Sequence, residues 1–321
     1  MDRDVEGGMI GASAKMQRLR ELIRKVGPRR EPVLLQGPTG SGKELVAHAL
    51  HVAGGRSGRM VAFNVCAIPE SMFEDALFGH VRGAFTGAAS DSLGFLAEAD
   101  NGTAFFDEVS GLSMQMQVKL LRAIETGVFR PVGARTDRKS DFRLIASTNE
   151  PLNVLLETGR FRRDLAHRVG VFLIEIPPLR DRVEDIPALV QHFAEDATVG
   201  QHAKIVLSSS ALRVMQEYDW PGNVRELRNI TFALVAMAES PVIEGSSVVN
   251  MLVSRGVAVS SNEKADYQRR HLLDVLNRHE WNTGQAAREL GVDRATVYRR
   301  MNALGISTVV RSAARTPVEL Q

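Results

Sequence analysis

VLLQGPTGSGKELV, residues 33–46, decides how this chain is read. Val33 to Gln36 is a short apolar, β-prone run, and Gly37-Pro38-Thr39-Gly40-Ser41-Gly42-Lys43 follows it directly. Leu45, Val46, Ala47 and Leu50 then mark a helix lasting until Gly54-Gly55. A glycine-rich loop between strand and helix lets backbone N–H groups converge on phosphate oxygens. The helix N-terminus adds its dipole, and Lys43 brings a charge to the outer phosphates. An ordinary structural turn does not need that whole arrangement. Glu44 stands where Ser or Thr usually helps to hold magnesium, so the metal is expected to lean on phosphate oxygens, water and a second acidic strand.

Working outward, further β-prone runs alternate with helical patterns: MVAFNV at 60–65, TAFFDE at 103–108, RLIAST at 143–148 and VFLIEI at 171–176. This alternation predicts an α/β fold, a parallel sheet sandwiched between helices. Ala104-Phe105-Phe106 is apolar without alternating, as a strand covered on both faces should be. The helix predicted at Gln115–Glu125 is expected to dock through Val118, Leu121 and Ile124, with Leu120 beside them. Asp107 and Glu108 end their strand where ligands bind in open α/β sheets. Asp107 is the candidate for Mg²⁺, and Glu108 for polarising the attacking water. A solvated turn is the plainer reading of such a pair, but the upstream phosphate loop favours a triphosphatase. Thr148-Asn149 ends a third strand with polar groups suited to sensing a terminal phosphate, although an Asn there is also a common turn residue.

Composition bounds the rest. The 321 residues carry 40 Lys and Arg against 38 Asp and Glu, a formal charge of +2 that alone argues for no nucleic acid. Cys66 is the single cysteine, which excludes an internal disulfide and a multi-thiolate metal cluster. It is expected to be a small buried apolar residue in a reducing compartment. The N-terminus lacks the apolar core of a signal peptide, and no stretch reaches the roughly 20 apolar residues of a spanning helix. These features predict a cytoplasmic protein with no membrane partner.

The divisions read from the sequence are an N-terminal extension at 1–8, an α/β subdomain at 9–176 and a helical lid at 177–253. A linker at 254–264, a helical unit at 265–306 and a tail at 307–321, expected to be disordered, complete the chain. In the lid, Ile186, Leu189, Val190 and Phe193 share one helix face, and Trp220-Pro221-Gly222-Asn223 interrupts two helices.

Between the two ATP motifs lies Gly83-Ala84-Phe85-Thr86-Gly87-Ala88, within LFGHVRGAFTGAASDSLGFLAEADNGTAFFDE. Read by itself, the hexapeptide is a glycine-hinged loop with an aromatic at its tip, or simply a hairpin turn. In this setting the chain, from about Gly11 to Gly305, resembles the AAA+ bacterial enhancer-binding proteins that activate the sigma-54 form of RNA polymerase. The resemblance implies that the loop presses Phe85 and Thr86 on the sigma factor and remodels the closed promoter complex. Glu44 then becomes a family trait. Asn64 matches the residue that restrains the catalytic glutamate, with strand-edge hydrogen bonding as its plainer role. Arg162 and Arg168 match the residues supplied to a neighbouring subunit's ATP site, whereas Arg160 and Arg163 read as a solvated basic face. Relatives usually carry an acidic residue at position 163 and aromatics at 166 and 167, so packing around these arginines is expected to differ here. Arg225, in Trp220-Pro221-Gly222-Asn223-Val224-Arg225-Glu226-Leu227, matches the lid sensor of nucleotide, a surface ion pair with Glu226 or Asp219 being the alternative. Arginine supplied in trans implies a ring, which in this family is a hexamer.

Residues 264–302 hold eight Lys or Arg (Lys264, Arg269, Arg270, Arg278, Arg288, Arg294, Arg299, Arg300) and five Asp or Glu, a local net of +3. Ala286, Ala287 and Leu290 are expected to face inward from one helix, and Gly291-Val292-Asp293 to make a tight turn. Val297, Met301 and Leu304 should anchor the next helix. This layout resembles the Fis-type helix-turn-helix. Arg294, Thr296, Tyr298, Arg299 and Arg300 are left for double-stranded enhancer DNA, read as a dimer. A small protein-docking bundle is the alternative. Only about ten residues precede the Gly11 region, so control is expected in trans, by a regulatory protein or by expression level. Two rival functions stay open on the sequence: a DNA-binding regulator that has lost its motor, and an AAA+ remodeller serving another machine.

Overall fold

The computed structural model describes residues 8–198, 205–255, 269, 272, 273, 275–290 and 292–306. The tail at 307–321, the linker beyond Arg255, residues 1–7, and Lys264, Arg270 and Gly291 lie outside the described residues. The chain divides into two compact units. One runs up to Phe193 and includes Tyr218–Thr231; the other comprises Ala194–Glu217 and the chain from Phe232 onward.

The first unit contains, in order, α1 (Ala14–Val26), β1 (Val33–Gln36), α2 (Lys43–Gly54), β2 (Met60–Asn64), α3 (Phe73–Phe78), α4 (Phe95–Glu98), β3 (Thr103–Asp107), α5 (Met114–Thr126), β4 (Val128–Phe129), β5 (Arg138–Lys139), β6 (Arg143–Thr148), α6 (Leu152–Glu157), α7 (Arg163–Val169) and β7 (Phe172–Glu175). Five strands form a parallel sheet in the order β2-β3-β6-β1-β7. Successive residues feed opposite faces. Leu34, Ala104, Phe106, Leu144 and Ala146 join one core, and Val33, Leu35, Phe105, Ile145 and Ile174 join the other. Both cores exclude water, which is why the strands read as unbroken apolar runs. Phe105 and Phe106 are each almost fully buried, and burial of a side chain of that size contributes about 1.5–3 kcal/mol.

Two expectations need correction. Helix α5 turns inward through Met116, Gln117, Leu120, Ala123 and Ile124, whereas Val118 is 49% exposed. The apolar stripe starts at Met116, and a polar residue occupies one of its positions. Cys66 is exposed rather than buried, because β2 ends at Asn64 and the cysteine falls in the 3₁₀ turn Val65–Ala67 beyond it. Burial, then the Glu108 and Asp107 carboxylates, push its thiol up, which disfavours the reactive thiolate.

Buried charge also holds this unit together. Arg143 opens β6 at 1% exposure and donates to the carbonyls of Gly27, Val26 and Leu50 at 2.6, 2.9 and 3.1 Å. The ends of α1 and α2 are thereby tied to the sheet. Burial lowers the Arg143 pKa to about 10, and the carbonyl partners keep the guanidinium tolerable there.

Helix α8 (Ile186–Ala197) follows, with Ile186, Leu189, Val190 and Phe193 buried as their spacing predicts. The second unit continues with β8 (Val206–Leu207), α9 (Ser209–Glu217), the C-terminal part of α10 (Asn223–Ala236), β9 (Val242–Ile243) and α11 (Gly245–Ser254). Strands β8 and β9 form a short parallel pair. Beyond residue 268, α12 (Thr283–Glu289) and α13 (Arg294–Ala303) enclose a core of Leu272, Val275, Leu276, Ala286, Ala287, Val297, Met301 and Ile306. Ala286, Ala287, Val297 and Met301 face inward as expected, with Leu290 and Leu304 packed against them. Among the described residues, no helix is long and apolar enough to cross a membrane.

Candidate active site

The sheet order brings the candidate residues together. Strand β6 lies between β1 and β3, pairing Gln36 with Thr148 and Phe106 with Ala146. The ends of all three strands therefore open at one edge. There Lys43 Nζ stands 2.9 Å from Glu108 Oε1 and donates to Gly37 O at 3.0 Å, with its side chain 7% exposed. Glu108 Oε2 accepts from the Asn149 N–H at 3.1 Å. Ser147 Oγ accepts from the Glu108 N–H at 3.1 Å and donates to Asp107 Oδ1 at 2.5 Å. One serine hydroxyl thus bridges the Asp107 carboxylate and the Glu108 backbone. Glu108 itself takes left-handed backbone angles, φ 59° and ψ 55°, a conformation that costs about 1–3 kcal/mol in a non-glycine residue and concentrates at working sites.

Thr148 is not part of this cluster. It is fully buried, donates to Glu150 O and accepts from the Glu150 N–H, so it caps a turn while its neighbours on either side serve the site. Asn64 pairs with Asp107 in the sheet, but its Oδ1 accepts from the Cys66 N–H at 3.0 Å. Glu108 is held by Lys43, Ser147 and Asn149.

The phosphate loop is held from the far side of the chain. Gly40 has φ 76°, and a Cβ there would lie 2.3 Å from Gly222 O. Asn223 Nδ2 donates to Thr39 O at 3.1 Å while its Oδ1 accepts from the Leu179 N–H. Arg182, 3% exposed, donates to Ser41 O at 3.0 Å. Asp185 accepts from the Ala12 and Ser13 N–H groups and from Ser13 Oγ. Sequence reasoning did not name Ser147, Arg182, Asp185 or Asn223 as site residues; Ser147, Arg182 and Asn223 hold Asp107 and Glu108, Ser41, and Thr39 respectively, whereas Asp185 holds Ala12 and Ser13. Only the WPGN interruption signalled one of them. Between the β1 end and this segment lies a cavity of about 300 Å³, lined by Gln36, Gly37, Pro38, Asn149, Glu175 and Trp220 among others. Arg225 donates its backbone N–H to Gly40 O at 3.3 Å, and its side chain is exposed. Glu226 instead accepts from Tyr218 and the Gly222 N–H.

Gly40→Ala is expected to cost about 1–3 kcal/mol, the penalty for forcing a left-handed backbone on a side chain, and more once the clash with Gly222 is included. Thermal unfolding would show it as a lower Tm, accompanied by weaker ATP binding. A variant with wild-type Tm and affinity would show that Gly40 and Gly222 are not held this close.

In the loop at Gly83 to Ala88, the Gly83 N–H donates to Ala88 O at 2.9 Å, and both Gly83 (φ 81°) and Gly87 (φ 103°) are left-handed. Phe85 is 46% exposed at the tip, its ring 5.0 Å from that of His80. Thr86 is exposed and Ala84 half-buried. His80 Nδ1 is 2.5 Å from Asp75 Oδ1, which anchors the base of the loop.

Arg162 caps α7 and pairs with Asp164 at 3.0 and 2.6 Å. This bond holds the Asp164 carboxyl below the usual range and raises the guanidinium. Arg168 reaches Glu125 O at 3.4 Å, Arg160 pairs with Glu150, and Arg163 and His167 are exposed while Ala166 is buried. In the helix-turn-helix, Asp293 caps α13 by accepting from the Thr296 N–H and hydroxyl. Arg299 bonds Thr296 Oγ1 at 2.8 Å, and Arg294 lies over the Tyr298 ring at 5.7 Å. Thr296 therefore serves the cap, while Arg299, Arg300 and Tyr298 remain exposed.

Comparison with known proteins agrees with this geometry. Family models match along the chain: the Sigma-54 interaction domain at residues 9–175, the AAA+ ATPase lid domain at 180–265, and the bacterial regulatory protein, Fis family, at 265–304. The transcriptional regulatory protein ZraR of Escherichia coli (strain K12) is 38% identical over 301 residues, covering 92% of this chain and 68% of ZraR. The DNA-binding transcriptional regulator NtrC of Rhizobium meliloti is 41% identical over 268 residues, covering 83% of this chain and 55% of NtrC. The crystal structure of NtrX from Brucella abortus in complex with ATP superposes with a TM-score of 0.71 at 30% identity, covering 94% of this chain and 70% of that one.

Proposed function

The chain belongs to the sigma-54-dependent transcription activators, AAA+ ATPases with a DNA-binding helix-turn-helix, and from that premise we propose that it converts ATP hydrolysis into remodelling of the sigma-54 polymerase closed complex. The observation that carries this reading is the placement of Phe85 and Thr86. They are exposed at the tip of a glycine-hinged loop in the same compact unit as Lys43, Asp107 and Glu108.

Each residue has a role in that reading. Thr39 to Gly42 offer backbone N–H groups to the phosphates, Gly37 and Pro38 shape the turn that leads to them, and Lys43 adds charge. Glu108 orients the attacking water and accepts its proton, a role it fills poorly while Lys43 engages its Oε1. Drawing Lys43 onto phosphate oxygens releases it. Asn149 and Arg225 report on the nucleotide, and Asn64 restrains Glu108 in a state in which its side chain has left the Cys66 N–H. Glu44 is exposed on the first turn of α2, which leaves it outside the metal set. Among the described residues, no group of three or more His, Cys, Asp or Glu side chains could hold a metal ion. That fits Mg²⁺, which usually keeps its waters and takes one or two carboxylates together with substrate phosphates. Asp107 would hold it, and its charge would offset that of the phosphates. Arg162 and Arg168 act on a neighbour's site, so the working species is a homo-hexameric ring. Arg294, Arg299, Arg300, Thr296 and Tyr298 meet enhancer DNA as a dimeric pair.

Open-complex formation on a sigma-54 promoter, followed by footprinting of melted bases with ATP present, tests this. Phe85→Ala is expected to lower the open complexes formed per ATP hydrolysed by roughly 30-fold, the loss typical of an interface hot spot worth about 2 kcal/mol. A wild-type ratio would overturn the reading and favour a different target for the motor.

A further inference from the structure

Gln117 is the polar member of the inward face of α5, with no solvent exposure. A buried amide is costly unless its donors and acceptor are satisfied, and all of its bonds go to two specific backbone segments. Nε2 donates to Leu112 O at 3.0 Å and to Arg160 O at 2.8 Å. Oε1 accepts from the Arg162 N–H at 2.8 Å. Leu112 caps the 3₁₀ turn Val109–Gly111, which begins immediately after Glu108. One side chain therefore joins the segment leaving the catalytic strand to both ends of the peptide that presents Arg162. Phe161, between those ends, is 3% exposed and fixed in the core.

We propose that Gln117 is a positioning residue for Arg162, setting where this side chain leaves the subunit and keeping it in register with the segment that follows Glu108. The proposal rests on the reading of Arg162 as a residue acting in the neighbouring subunit's site. Packing alone does not account for Gln117, since methionine would fill a similar volume without three bonds to satisfy. The amide carries its donor and its acceptor on separate atoms, so one side chain accepts from residue 162 while donating to residues 160 and 112. Arg162 itself is tethered by this backbone anchor, and among the described residues its guanidinium is held by the exposed pair with Asp164, which salt screens.

The test uses the full chain and ATP. Gln117→Met is expected to lower kcat by about 10²-fold, the scale of a misplacement of about 1 Å, with the KM for ATP little changed. Mixed assemblies then separate positioning from damage to the subunit's own site. Protomers carrying Gln117→Met keep an intact ATP site but present Arg162 badly, while Glu108→Gln protomers present it well. Mixing the two should recover turnover above that of either alone. Mixing Gln117→Met with Arg162→Ala should recover nothing. Full turnover by Gln117→Met overturns the proposal. So does a folded, ATP-binding Gln117→Met that Glu108→Gln cannot rescue while it does rescue Arg162→Ala. If Arg162→Ala is itself not rescued by Glu108→Gln, the in-trans reading fails instead. Should Gln117→Met not fold, Gln117→Glu, which keeps the acceptor and loses the amide donors, goes through the same mixtures.

Discussion

Arg162→Ala is expected to lower ATP turnover by a factor of about 10³ to 10⁵, the range measured when an arginine delivered to a phosphoryl-transfer site is removed. Within its own subunit Arg162 touches Asp164. The contacts that organise Lys43, Asp107 and Glu108 come from Ser147, Asn149 and Gly37. Its removal should therefore leave the subunit's ATP affinity near wild type. Turnover by the wild-type protein should rise faster than linearly with protein concentration, since a site completed by a neighbour exists only in the assembly. ATPase rates across a dilution series check both points. Strict proportionality down to nanomolar protein, with Arg162→Ala within tenfold of wild type, would return Arg162 to a surface ion pair.

Glu108→Gln should lower turnover by about 10² to 10⁴, as expected when a general base is lost. Its carboxylate is held by Lys43, its backbone is left-handed, and its N–H is tied through Ser147 to Asp107. A turn needing only solubility has no use for that arrangement, since exposed carboxylates form freely without strain or partners. The amide retains much of the shape and can still meet the Asn149 N–H, so ATP binding should persist. Single-turnover hydrolysis alongside equilibrium nucleotide binding distinguishes the two losses. If binding and hydrolysis fell together, Glu108 would belong to the architecture of the loop rather than to the chemistry.

Much of this molecule was legible because its features are local. Gly37 to Lys43 follows a strand and opens a helix; Asp107 and Glu108 end an apolar strand; Gly83 to Ala88 is contiguous. The spacing of Ala286, Ala287, Val297 and Met301 likewise foretold the helix-turn-helix core, because a helical period needs only its own segment to be seen. The failures share a cause as well. Val118 fitted the period but lies outside the stripe, because the same pattern fits more than one rotation of α5 and only the sheet beneath it selects Met116, Leu120 and Ala123. Cys66 looked like a core residue until β2 ended two positions before it.

The chain's residues alone pointed to a phosphate loop, an acidic strand end, a glycine-hinged loop and a helix-turn-helix, since each is written in neighbouring positions whose backbone and side-chain chemistry act together. Tertiary structure decided which strand lies between β1 and β3, and so made Ser147 the link between Asp107 and Glu108. It also decided that Asn223 and Arg182 hold the phosphate loop and that Gln117 reaches Leu112, Arg160 and Arg162. Those bonds join residues up to 184 positions apart. A buried amide or guanidinium must find partners wherever the fold places them, and no periodicity in the chain records where that will be.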